Sequence, residues 1–147
     1  MNKLQKKLND LLCFLKQCCF FTTQRTMFNI EKYNEINDFL KKTSNSAKIV
    51  AISKNHPFAS VLEAINHGVY IFGENRVQEA QEKFQQLKMK NTKIELHLTG
   101  PLQSNKVKTA IKLFDVFHTL DREKIVREFS KYKYLLKNKK RYFSRRN

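Results

Sequence analysis

Cysteine is missing from everything after residue 19. Its three copies, Cys13, Cys18 and Cys19, crowd into the first 26 residues. An adjacent pair with no histidine nearby does not have the spacing of a zinc site, and an odd count at one end does not staple a secreted domain. A reducing, cytoplasmic setting is the expectation. Glycine and proline are scarce, three and two in 147 residues, which excludes collagen-like and proline-rich low-complexity chains. No apolar run approaches the roughly 18 residues of a membrane-spanning helix. The longest candidate, Leu11 to Phe21, is cut by Lys16 and Gln17. A basic start followed by that stretch loosely resembles a signal peptide, but no small-residue cleavage site follows, and secretion is not expected. Acidic residues are absent from the last 17 positions, which carry eight basic ones.

What is present is enough for one packed domain. Hydrophobic residues make up 41% of the chain and aromatics 12%, which excludes wholesale disorder. The formal net charge is +16, and half of it lies in the tail. Residues 27–130 carry 16 basic against 12 acidic side chains, close to an ordinary soluble protein. A nucleic-acid reading of the total charge is therefore a reading of the tail. There Tyr132, Tyr134, Tyr142 and Phe143 among basic residues could stack on bases. A solvated charge run is the plainer account, so nucleic acid is the alternative rather than the expected partner. The segmentation predicted is an N-terminal extension outside the fold (1–26), a folded body (27–130) and a basic tail, helical or disordered (131–147).

Within the body, hydrophobic period switches between helix and strand. Ile30, Tyr33, Ile36, Phe39 and Leu40 mark one face of an amphipathic helix. Lys48 to Ser53 reads as a short buried strand. Pro57 and Gly68 suit the start and end of a helix whose inner face is Val61, Leu62 and Ile65. Val69 to Phe72 is a second strand, followed by a helix on Val77, Ala80, Phe84 and Leu87. Ile94 to Thr99 is a third strand, with a helix capped by Ser104. Asp115 to Thr119 is a fourth, with a helix capped by Asp121. Strands recur roughly every 20–25 residues, the period of β-α units with a parallel sheet. Four such units fit an open doubly wound sheet or half of an eight-unit barrel, and periodicity does not choose. After Ser130 the pattern stops, with no convincing fifth strand.

In parallel α/β folds, chemistry gathers where strands end. Those ends here are Ser53–His56, Gly73–Arg76, Gly100–Lys106 and His118–Asp121. Lys54 follows a wholly apolar strand, so its stem is expected half-buried at the mouth of the fold. A lysine there can form a Schiff base toward an aldehyde; on position alone a surface lysine snorkelling at a strand end is the plainer account. Asn75 offers donor and acceptor, or simply caps the next helix. Gly100–Lys106 combines glycine, helix start and lysine without P-loop spacing. His97 lies inside an apolar strand, where a buried, hydrogen-bonded histidine is expected. His56, His67 and His118 show no metal-ligand spacing, and no metal is expected.

Three motifs in order carry a resemblance. They are Ile49-Val-Ala-Ile-Ser-Lys54; Phe72-Gly-Glu-Asn75 with Val77-Gln-Glu-Ala80; and His97-Leu-Thr-Gly100 with Leu102-Gln-Ser-Asn-Lys106. Together with Phe114-Asp115 and the His-Thr-Leu-Asp end of the fourth strand, they resemble the pyridoxal phosphate homeostasis family. The resemblance covers about residues 28–130. It implies the N-terminal half of an alanine racemase-like (β/α)8 TIM-type barrel, an α/β fold with four parallel strands and their helices. It also implies pyridoxal 5'-phosphate carried as a Schiff base on Lys54, with Asn75 and His97 at the cofactor site. The implied role is vitamin B6 homeostasis in the cytoplasm, without catalysis. In that family the phosphate grip comes from the last strands, which have no counterpart here. The resemblance therefore implies a truncated barrel, weak cofactor affinity and a polypeptide partner able to supply the missing half.

Overall fold

Each element forms for reasons visible in its own residues. The computed structural model describes residues 28–43, 46–136 and 141–142; the expectations for residues 1–26 lie outside them. Helix α1 (Ile30–Lys42) starts at Asn29, whose side chain accepts the Lys32 N–H at 2.9 Å. Glu31 in its first turn and Lys41 and Lys42 in its last suit the helix dipole. Strand β1 (Ala51–Ile52) leads to α2 (Phe58–Asn66), which stops at Gly68. That glycine takes φ +83°, a left-handed conformation that closes the helix and turns the chain into the next strand.

Strand β2 (Ile71–Glu74), helix α3 (Val77–Lys90) and strand β3 (Glu95–Leu98) follow. A short 3-10 turn, Ser104–Lys106, opens α4 (Val107–Leu113), and β4 (Val116–Phe117) leads to α5 (Glu123–Lys131). A further pair, Arg141–Tyr142, forms β5. All neighbouring strands are parallel, in the order β1-β2-β3-β4-β5. That order never reverses. A doubly wound sheet has a reversal at its switch point, whereas a barrel wall is sequential. Topology thus decides what periodicity left open, and the expected α/β wall of parallel strands is observed.

The core lies between the sheet and its helices. Phe72, Leu96, Leu98 and Phe117 face α3, α4 and α5, with Ala80, Phe84, Val107, Ala110, Ile111 and Phe129 opposite. Phe72 and Phe84 stack tilted at 5.3 Å between centroids, and Phe117 meets Phe129 edge-on at 5.0 Å. Burial of each such side chain is worth about 1.5–3 kcal/mol. Asp115 ties the layers together. Its carboxylate accepts the Leu96 N–H at 2.9 Å and pairs with Lys88, which also donates to Leu113 O at 2.8 Å.

Four expectations change. Residues 48–53 were expected as a buried strand, but only Ala51 and Ile52 pair, and Ile52 is 45% exposed. Among the described residues β1 is the sheet's edge, so one of its sides has no strand to pair. The apolar stripe of α1 is likewise poorly covered, with Phe39 65% exposed. Asp121 does not cap α5; it sits beside the Arg122 guanidinium at 3.2 Å, and no side chain caps the helix. Finally, a fifth strand exists. The free edge of β4 offers unpaired N–H and C=O groups, and Arg141–Tyr142 takes them up in parallel register. Among the described residues no helix is long and apolar enough to cross a membrane.

Candidate functional site

Side chains alternate across a strand. Phe72, Leu98 and Phe117 point to the helices, so Gly73, His97 and Val116, which align across the sheet with Ile52, point to the other face. Two residues further on, at the carboxyl ends of the strands, the same register brings Asn75, Thr99 and His118 into one row, and Lys54 lies in the turn that follows β1 at the same end of the sheet. The row is held by hydrogen bonds. Thr99 donates its N–H to Glu74 O at 2.9 Å and its hydroxyl to Asn75 Oδ1 at 2.8 Å. Thr119 donates to Gly100 O at 2.6 Å. A side chain at position 100 would run into Asn75, its Cβ only 2.8 Å from the Asn75 Cα. Glycine there lets the two strand ends close together.

Asn75 does not cap α3, whose start has no side-chain cap. Its Oδ1 is taken by Thr99, so its amide N–H2 is the group left to face a ligand. Lys54 departs from its expected half-buried stem. It is exposed, in the turn after β1, because no described element covers that end of the edge strand. Gln103 and Asn105 are exposed as well, and Ser104 opens the 3-10 turn rather than capping a helix with its side chain.

His97 is buried, as expected. Its Nε2 lies 2.8 Å from Glu95 Oε1 and its Nδ1 lies 2.9 Å from His118 Nε2. The two rings stack at 5.1 Å. A carboxylate accepting from Nε2–H leaves Nδ1 as acceptor for a proton on His118 Nε2, so the chain of bonds is satisfied with both rings neutral. Burial, and then the positive charge His97 would carry, hold the His118 imidazole below its ordinary value of 6.5.

A second polar cluster lies on the helix side, beneath the Lys54 turn. The fully buried Glu74 accepts from Ser53 Oγ at 2.8 Å and from Lys83 Nζ at 3.0 Å. Lys83 also donates to Ser53 O and to Glu79 Oε1, both at 2.7 Å. Glu79 Oε1 accepts the Asn55 N–H at 2.7 Å. Burial raises the Glu74 carboxyl above its ordinary value, against the hydrogen bonds of Ser53 and Lys83 that act to lower it. For Glu79 burial also acts upward, but the bonds from Lys83 and Asn55 prevail and its value is lowered. Sequence reading gave no role to Glu74, Glu79, Lys83 or Glu95, and named His118 only as a strand-end residue without metal spacing. The spacing of Glu79 and Lys83 on one helix and the alternation Glu95, His97, Thr99 were the available signals.

Beside β1 an apolar cleft of about 300 Å³ opens among Phe28, Ile52, Ser60, Val61 and Phe72. It does not include Lys54, Asn75 or His97. Among the described residues no three His, Cys, Asp or Glu side chains are placed to hold a metal ion.

Comparison with known proteins agrees with the motifs. No family model matches the chain. The pyridoxal phosphate homeostasis protein of Pasteurella multocida (strain Pm70) is 45% identical over 85 residues, covering 58% of this chain and 36% of the relative. The protein of the same name from Buchnera aphidicola subsp. Schizaphis graminum is 43% identical over 102 residues, 67% of this chain and 44% of the relative. Among solved structures, PipY of Synechococcus elongatus PCC7942 with PLP bound superposes with a TM-score of 0.56 at 36% identity, over 68% of this chain and 49% of that one. The chain thus spans less than half the length of the curated relatives it matches. The resemblance carried by the motifs is borne out in both sequence and fold.

Proposed function

We propose that this chain binds pyridoxal 5'-phosphate as a Schiff base on Lys54 and serves vitamin B6 homeostasis in the cytoplasm as a binder rather than a catalyst. One observation carries the reading. Asn75, Thr99 and His118 lie at the carboxyl ends of parallel strands, on the face away from the helices, and Lys54 follows β1 at that same end, where such folds place ligands. The similarity to a protein solved with PLP bound supports it.

The donor set fits part of the group. An exposed amine suits an aldehyde. The Asn75 amide would supply N–H donors toward a ring oxygen, and the hydrogen-bonded His97–His118 pair lies on the same face of the sheet. When bound, the cofactor would supply the aldehyde with which the Lys54 amine would condense, releasing its oxygen as water.

The test is borohydride trapping of the full chain at substoichiometric pyridoxal phosphate, followed by peptide mapping. The label is expected on Lys54 and is expected to vanish in Lys54→Ala. Label spread over other lysines, unchanged by that substitution, overturns the assignment.

A further inference from the structure

We propose that Glu79 and Lys83 are positioning residues for Lys54, clamping the backbone on both of its sides from helix α3. The purpose of the clamp rests on the reading of Lys54 as the cofactor-bearing amine.

The argument begins with an apparent conflict. A useful amine must be exposed, yet an exposed lysine in an edge turn is poorly directed. Here the side chain is exposed but its neighbours are not free. Ser53 is buried and bonded at three points. Its N–H donates to Gly73 O at 2.9 Å, its hydroxyl to Glu74, and its carbonyl accepts from Lys83. On the other side Asn55 sits at φ +61°, in the left-handed region, which asparagine enters more readily than most residues. Its N–H is the one that Glu79 accepts.

The clamp is itself rigid. Lys83, whose side chain is 10% exposed, commits all three of its protons, to Ser53 O, Glu74 and Glu79. Glu79 and Lys83 lie one turn apart on α3, so a single helix grips both flanks of position 54. None of these groups lies on the ligand-facing side of the sheet. They act through the turn, not on a ligand.

The test uses the full chain as wild type, Glu79→Ala and Glu79→Gln. Glutamine keeps a carbonyl oxygen for the Asn55 N–H and for Lys83. The first readout needs no cofactor: hydrogen exchange at the Asn55 amide. It is expected to quicken about tenfold in Glu79→Ala, the scale of one lost hydrogen bond to a charged acceptor, and to stay near wild type in Glu79→Gln. Amides of Leu96 and Leu98 should exchange as before in both. The second readout is the fraction of Lys54 trapped with pyridoxal phosphate, expected to fall in Glu79→Ala and recover in Glu79→Gln.

Unchanged Asn55 exchange in Glu79→Ala overturns the clamp, as does equal impairment of both variants. Faster exchange with undiminished trapping overturns the positioning role. Failure of the wild type to trap cofactor on Lys54 overturns the cofactor reading and the purpose with it, while Asn55 exchange still decides the clamp.

Discussion

Replacing Lys83 with methionine keeps the length of the side chain and removes its charge. The structure sets the cost. Lys83 gives three hydrogen bonds, two of them to carboxylates, and its side chain is 10% exposed against 0% for Glu74. Without it, Glu74 retains, among the described residues, only the Ser53 hydroxyl, and its buried Oε2 already has no partner among them. Breaking such a buried pair costs about 3–5 kcal/mol, a large share of the about 5–15 kcal/mol that holds a domain together. Lys83→Met should lose stability on that scale in urea denaturation followed by circular dichroism at about pH 7.

The loss should also depend on pH. Burial already raises the Glu74 carboxyl above 4.5, and removing Lys83 raises it further. A carboxyl raised in the folded state contributes stability that is full below its unfolded value and is lost as pH rises through the folded one. Glu79, lowered in part by Lys83, has the opposite dependence: it contributes above the ordinary carboxylate value, and the variant forfeits that. Both effects make the deficit larger at about pH 7 than at about pH 5. The paired change Glu74→Leu with Lys83→Met removes both charges and should return to within about 1 kcal/mol of wild type. A deficit under about 1 kcal/mol for the single variant, or one that does not change with pH, would refute the reasoning.

Three further outcomes are expected. The His118 ring, followed by proton NMR, should titrate below 6.5; its stability contribution is full above that value and is lost as pH falls through the lower folded one. A midpoint at or above the ordinary value contradicts the buried pair. Gly100→Ala should cost about 1–3 kcal/mol by overpacking against Asn75, measured as a drop in thermal midpoint, with lower trapping at Lys54. Phe84→Ala, which empties the space beside Phe72 under β2, should cost about 3–5 kcal/mol, and denaturation at wild-type urea concentration would show the site is not close-packed.

Much of the body was legible because its signals are local. Gly68 ends α2 as its place in the sequence suggests, and of the inner faces read in α2 and α3, Val61, Val77, Ala80 and Phe84 are buried while Leu62 is 37% exposed. The burial of His97 followed from its apolar strand. Lys54 was misjudged because exposure depends on what lies over the edge strand, which no local pattern states. Asp121 and Asn75 were read as caps by residue type, but Arg122 and Thr99 compete for their oxygens.

The chain's residues by themselves determined the alternation of strand and helix, the apolar faces and the polar strand ends, since each follows from periodicity and side-chain chemistry within a few neighbours. Only the tertiary structure decided the order of the strands, the meeting of Asn75 with Thr99 and of His97 with His118, and the union of Ser53, Glu74, Glu79 and Lys83. Those groups lie on separate elements, and what unites them is parallel register and the helix layer above it. Both are products of burial summed over the whole sheet rather than of any one segment.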